Sequence, residues 1–260
     1  MNRINSKNEN TNRKNKFTLL DNNEDESYYD ETNASEETGE KKIEHPNPEL
    51  ENKINKIMDE LAEKYLENRE YIESKVDNWI NAILDGIEGK LNNEKEYKFI
   101  SYCFIIKRPV HFISSSRNVK NLIKDGIIKK RYEYNNFLCI LSIGYYNINK
   151  NQMTNNINIK DYKNDILFEI EKIQSNILDG RKYDTKTNEK YKNYILIDIQ
   201  KLLKNKFKNY RSYNLCIFNQ KNYEIKFKYK IINDKCENLI LHVKNQFNNL
   251  IVNTLNVIFY

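Results

Sequence analysis

The sequence predicts an α+β protein in which two helices pack on a four-stranded antiparallel sheet, with that unit repeated twice to give an intramolecular pseudodimer. Three observations carry the expectation. Ile127–Ile148 (IIKKRYEYNNFLCILSIGYYNI) reads as a half-exposed alternating strand, a tight turn at Asn135-Asn136, and a return strand, Phe137–Ile143, that is almost wholly apolar. A similar stretch closes the chain. Leu239–Tyr260 (LILHVKNQFNNLIVNTLNVIFY) turns at Asn248-Asn249, and a shift of 112 residues sets Ile127 on Leu239, Arg131 on Val243 and Ser142 on Thr254. Each hairpin is preceded by two stretches with helical apolar spacing and then by apolar, strand-like runs.

Residues 1–48 form a charged tail. They hold seven basic and eleven acidic side chains, few apolar residues and an acidic stretch, Asp21–Glu44, so they bury too little to fold alone. Phe17–Leu20 is the candidate anchor within the tail. The first unit is expected over residues 49–148. Ile54, Ile57, Met58, Leu61 and Tyr65 line one face of a helix. Ser74–Asp77 has the form of a capping box that opens a second helix. Ile72, Val76, Trp79, Ile80, Ile83, Leu84 and Ile87 make its stripe, and Gly89, Asn92 and Asn93 end it. Tyr97–Lys107 and Val110–Ser115 read as strands, Asn118–Lys124 as a connection, and Asp125-Gly126 as a turn.

A polar linker is expected at residues 149–160, and the pattern then restarts over residues 161–260. Ile166, Leu167, Ile170, Ile173 and Ile177 form a helical stripe that stops at Asp179-Gly180, and Arg181–Glu189 reads as a polar loop. Tyr191, Ile195, Ile199 and Leu202 form the fourth helix. Tyr210–Lys221 matches Tyr97–Arg108 at a shift of 113, which sets Cys216 on Cys103, and Tyr223–Ile232 alternates as a strand.

With the acidic tail set aside, the rest of the chain carries 36 basic and 26 acidic residues. The lysines are spread along it, so they read first as solvated surface and only second as a nucleic-acid patch. Cys103, Cys139, Cys216 and Cys236 form no CxxC pair, and three lie in apolar runs, which reads as buried free thiols in a reducing compartment. The start is polar and no apolar run approaches the ~18 residues of a membrane helix, so a soluble cytoplasmic protein is expected. Catalysis is not expected. His45, His111 and His242 are far apart, His111 near serines lacks a placed acid, no glycine-rich phosphate loop occurs, and the acidic residues lack metal spacing. No cofactor and no metal are expected.

Residues 50–148 resemble the Tctex-type dynein light chains. The resemblance rests on YKFISYCFIIK, then HFISSS, then Asp125-Gly126, Arg131, Tyr132, Glu133, Cys139-Ile140 and Ser142 in unbroken order, with Trp79 on the second helix. The second copy lacks Asp-Gly and the Arg-aromatic-Glu run, so its membership rests on the internal repeat. The resemblance implies a dimer in which one strand of each unit crosses to the other. Val110–Ser116 would be the crossing strand here and Glu224–Tyr229 its counterpart. It also implies an extended segment of a dynein intermediate chain or a cargo that adds as a strand. The residues it singles out for partner binding are His111, Ser114, Ser115, Arg131, Tyr132 and Glu133, with His242 and Lys244 in the second copy. Arg131 could equally pair with Glu133 inside the sheet. The expected partners are an intermediate-chain or cargo peptide and a second Tctex-type light chain, in a cytoskeletal dynein complex, cytoplasmic or axonemal. A nucleic-acid-binding protein and a purely structural subunit of an axonemal or transport assembly are the alternatives.

Overall fold

The computed structural model describes residues 18–19, 47–108, 112–119, 124–148, 159–182, 184–207, 210–223, 225–233 and 238–259. The expected tail lies outside the described residues except for Thr18–Leu19 and residues 47–48, and the expected linker lies outside them except for residues 159–160. The elements are β1 (Thr18–Leu19), α1 (Pro48–Leu66), α2 (Glu73–Leu91), β2 (Tyr97–Lys107), β3 (Phe112–Val119), β4 (Gly126–Glu133) and β5 (Phe137–Asn147). A 3-10 turn (Ile159–Tyr162) then leads into α3 (Lys163–Leu178), α4 (Thr185–Lys206), β6 (Arg211–Gln220), β7 (Lys226–Ile232), β8 (Asn238–Phe247) and β9 (Leu250–Phe259). The order helix, helix, four strands occurs twice.

Each sheet completes itself with a strand from the other unit. One sheet runs β1-β4-β5-β2-β7 and the other β3-β6-β9-β8, all antiparallel. The crossing strands are β3, which pairs with β6, and β7, which pairs with β2. The fold is therefore α+β, two helices on each antiparallel sheet, with a two-fold repetition joined by strand exchange. The short β1 extends the first sheet beyond the expected four strands.

Alternation along the strands sorts the core into layers. Phe99, Cys103, Ile105 and Cys139 face α1 and α2, together with Trp79, Ile80, Ile83 and Leu84. Cys216, Phe218, Leu241 and Val252 face α3 and α4. The opposite faces meet each other. Tyr102 lies 5.7 Å from Tyr213 and Tyr146 meets Phe259 edge-on at 4.9 Å, measured between ring centres, while within one sheet Phe104 pairs across the strands with Phe227 of the crossing β7 at 5.5 Å. Burial of such rings contributes roughly 1.5–3 kcal/mol each, which makes this layer the main apolar bond between the units. Cys103, Cys139 and Cys216 are free and buried, and Cys236 lies outside the described residues.

Two polar ties cross the unit boundary at equivalent places. Arg211 of β6 donates through Nη1 to the Asn147 carbonyl at 2.6 Å and to the buried Asp125 carboxylate at 3.3 Å. Lys98 of β2 is fully buried, donates to Asn238 Oδ1 and stands 4.8 Å over the Phe259 ring. Arg211 follows Lys98, and Asn238 follows Asp125, by 113 residues.

That spacing corrects the repeat register. The hairpin turns superpose as Asn135-Asn136 on Asn248-Asn249, so Arg131 corresponds to Lys244 and Lys129 to His242. A shift of 112 would put the helix-facing Ile128 on Ile240, which faces the other sheet; a one-residue slip reverses every side chain. Four local expectations change as well. Ser74 lies inside α2, whose first turn has no side-chain cap, because Asp77 is engaged by Lys226 and Lys228. Asp125-Gly126 opens β4 instead of making a turn: a Cβ at Gly126 would fall 2.2 Å from the Tyr145 hydroxyl, so glycine is required by close approach. β3 continues to Val119 through part of the expected connection. The polar loop ends at Asp184, where Thr187 donates to the carboxylate and α4 begins.

Candidate functional site

Strand exchange places each crossing strand at an outer edge of its new sheet. Among the described residues β7 pairs only with β2, and β3 only with β6. Each crossing strand thus sits in the sheet opposite the one that holds the rest of its own unit, and a cleft forms where β7 meets β8 of the facing sheet.

The β7–β8 cleft has a volume of about 370 Å³. It is lined by the apolar Ile225, Phe227 and Ile251 and by His242 and Lys244, and the Lys226–Asp77 ion pair borders it on the α2 side. The His242 ring meets Phe227 edge-on at 5.3 Å. Partial burial lowers the His242 pKa, Lys244 adds to that, and Asn253 opposes it by accepting from the ring. Alternation along β7 sends Lys226, Lys228 and Lys230 the other way, onto α2. Phe227 and Tyr229 are thereby left for the inter-sheet face.

The β3–β4 side is built differently. Lys192 of α4 has a side chain only 2% exposed, is paired with Glu189 and donates to the Ser114 carbonyl of β3 at 3.2 Å. Burial above all, and then the Lys192 cation, pulls the pKa of Lys129 of β4 down to about 8, and Glu189 opposes the shift. The outer edge of β4 is occupied by the chain's own β1, in register Thr18 with Arg131 and Leu19 with Lys130.

Of the residues singled out from the sequence, His111 lies outside the described residues. Ser114 and Ser115 stand on β3 opposite Ile217 and Cys216. Arg131 and Glu133 are 2.8 Å apart, and Glu133 also binds Arg108 at 2.6 Å; the Arg108 hydrogen bond above all, then the Arg131 cation, holds the Glu133 carboxyl below its usual range. Tyr132 faces the helices and donates to Asp59 at 2.9 Å. His242 and Lys244 line the β7–β8 cleft. The structure thus brings Ser114, Ser115, Arg131 and Glu133 to one side of the sandwich and His242 and Lys244 to the other. Phe227 and Lys192 were missed. Phe227 looked like any alternating strand residue, and Lys192 sits among other lysines with nothing local to show that it is buried.

Residues 49–146 match the model of the Tctex-1 family, over α1 to the end of β5. The first unit is a Tctex-1 family domain. No curated protein sequence matches the chain. The Tctex-1 family is one of dynein light chains, which ties this unit to microtubule motors and the cytoskeleton. The second unit lies outside the match and repeats the Tctex-1 domain's element order and strand order. Among the described residues no helix is long and apolar enough to cross a membrane, and no three His, Cys, Asp or Glu side chains converge as metal ligands.

Proposed function

We propose that the protein is a non-catalytic dynein light chain or adaptor that holds an extended segment of a dynein intermediate chain or cargo by strand addition. The observation that carries the reading is the outer position of the exchanged strand β7, beside a cleft lined by Phe227, Ile251, His242 and Lys244. An added strand would take backbone hydrogen bonds from β7, and its alternate side chains would enter the cleft past Phe227, His242 and Lys244. The β3–β4 side is the lesser candidate, with Ser114, Ser115, Arg131 and Glu133, and with Tyr132 as a positioning residue tied to α1. Two units closed on each other would offer two nonequivalent sites within one chain.

Titration of the full chain with intermediate-chain segments from the same cell tests this reading. Saturable binding that changes little with salt is expected, and His242→Glu with Lys244→Glu should weaken an acidic segment by about tenfold. Failure to bind any intermediate-chain segment overturns it. Binding of single-stranded nucleic acid that falls steeply with salt would favour the nucleic-acid reading instead.

A further inference from the structure

The lysines of β7 form a regular contact with α2. Lys226, Lys228 and Lys230 alternate along the strand and so share its helix-facing side. On α2, Asp77, Asn81, Asp85 and Glu88 recur at helical spacing along the flank that meets that strand. Lys226 and Lys228 lie 3.5 and 3.3 Å from Asp77, and Lys228 donates to Asn81 at 3.0 Å. Lys230 lies 2.6 Å from Asp85 and 2.5 Å from Glu88. Their hydrogen bonds raise the Lys230 pKa, as expected for a cation held by two carboxylates.

The other exchange has no such pattern. The buried stripes of the two helices correspond at a shift of 112: Ile83 with Ile195, Leu84 with Leu196, Ile87 with Ile199 and Leu91 with Leu203. Asp77, Asn81, Asp85 and Glu88 therefore correspond to Glu189, Asn193, Ile197 and Gln200 on α4. One carboxylate remains there, and Lys192 has taken it. The register positions of β3 opposite Phe218, Cys216, Asn214 and Ser212 are Ile113, Ser115, Arg117 and Val119, with one charge among them; Arg117 donates to Gln200 at 2.6 Å.

We propose that the α2 flank and β7 form a charge-coded recognition surface whose partner is the second unit of the same chain, and which rejects exchange between like units. If two first units exchanged β3 with each other, the α2 carboxylates would face a strand with a single cation. If two second units exchanged β7, three lysines would be laid along a helix that already buries Lys192. Each wrong pairing strips charges of partners or sets like charges together, which is how specificity is built against alternatives. The correct pairing is also the one that the connecting chain keeps at high local concentration. The surface selects the partner; Asp77 and Lys226 also border the β7–β8 cleft, so its test reads folding and mass and not ligand binding.

The test uses the full chain and two readouts, the thermal midpoint and the solution mass by light scattering across a dilution series. The wild-type chain should keep the mass of one chain, 31.3 kDa. Changing Lys226, Lys228 and Lys230 together to Glu should lower the midpoint by about 6–10 °C and bring in species of two or more chains. Changing Asp77, Asp85 and Glu88 together to Lys should do the same. Combining both sets should restore the one-chain mass and most of the midpoint, because opposite charges face each other again. Losses that simply add in the combined variant overturn the proposal, as does a wild-type mass of two chains. If a single-sided variant does not fold, recovery of folding in the combined variant supports the proposal, and its failure overturns it.

Discussion

The two helix-to-strand seams occupy equivalent places and are built from opposite materials. Under α2, Val76 and Ile80 are fully buried and the charges stand at the rim, where Lys226, Lys228 and Lys230 meet Asp77, Asp85 and Glu88. Under α4 the same helical positions hold Asn188 and Lys192, also buried, and the Lys192 charge is met by a β3 carbonyl and by the partly exposed Glu189. A dry seam with charges outside is tolerant at its rim and intolerant within. A wet seam is tolerant within only as long as its internal partners remain. Repetition of a fold therefore fixes the geometry of a position without fixing its chemistry.

The largest test of that contrast is to exchange the two materials. Ile80→Lys puts an unpaired cation in the dry seam and should cost about 3–5 kcal/mol in denaturant unfolding. Lys192→Met in the wet seam should change stability by about 1 kcal/mol or less, because Glu189 is 44% exposed and can be solvated. Equal losses would mean that the seams do not differ as described.

The inter-unit ties give the next effect. Asp125→Ala leaves Arg211 largely buried beside a missing carboxylate and should cost about 2–4 kcal/mol. Asp125→Asn copies the Lys98–Asn238 tie and should cost about 1 kcal/mol. The same ordering should appear in thermal midpoints.

At the start of the hairpins, Gly126 corresponds to Leu239 and Tyr145 to Ile258 at a shift of 113. Gly126→Ala collides with Tyr145 and should cost about 1–3 kcal/mol; pairing it with Tyr145→Ile should recover most of that loss.

Two pH effects are smaller. The folded Lys129 has a pKa near 8, well below that of an unfolded lysine, so the unfolded chain binds more protons above that pH. Stability should then rise by about 1–2 kcal/mol between about pH 7.5 and 9.5, and Lys129→Met should flatten the rise. His242 is shifted the same way from 6.5. Stability should fall slightly as pH drops below that value, and His242→Gln should remove the dip in a pH series of melts.

Much of this was open to reading in the chain. Apolar spacing gave α1, α2 and α3, because their buried faces are hydrocarbon. The start of α4 was hidden because Asn188 and Lys192 are polar where the period calls for apolar residues. The Asn-Asn turns marked both hairpins, and Asn248 has the positive φ that such a turn uses. The register of the repeat could not be settled by similarity of letters, since Leu, Ile and Val occur on both faces of β8 and β9. The cleft rim was half visible: His242 and Lys244 could be named, whereas Phe227 acquires its place only from a strand of the other sheet.

The sequence by itself determined the two α+β units, their order, the buried cysteines and the likeness of the first unit to the Tctex-type chains. Those features depend on periodicity and on residues close together along the chain. Tertiary structure alone decided which strand completes which sheet, which charges become buried, and which edge is left open beside a cleft. These depend on pairs such as Asp77 with Lys226 and Asp125 with Arg211, residues far apart in the chain that only exchange of strands between the units brings into contact.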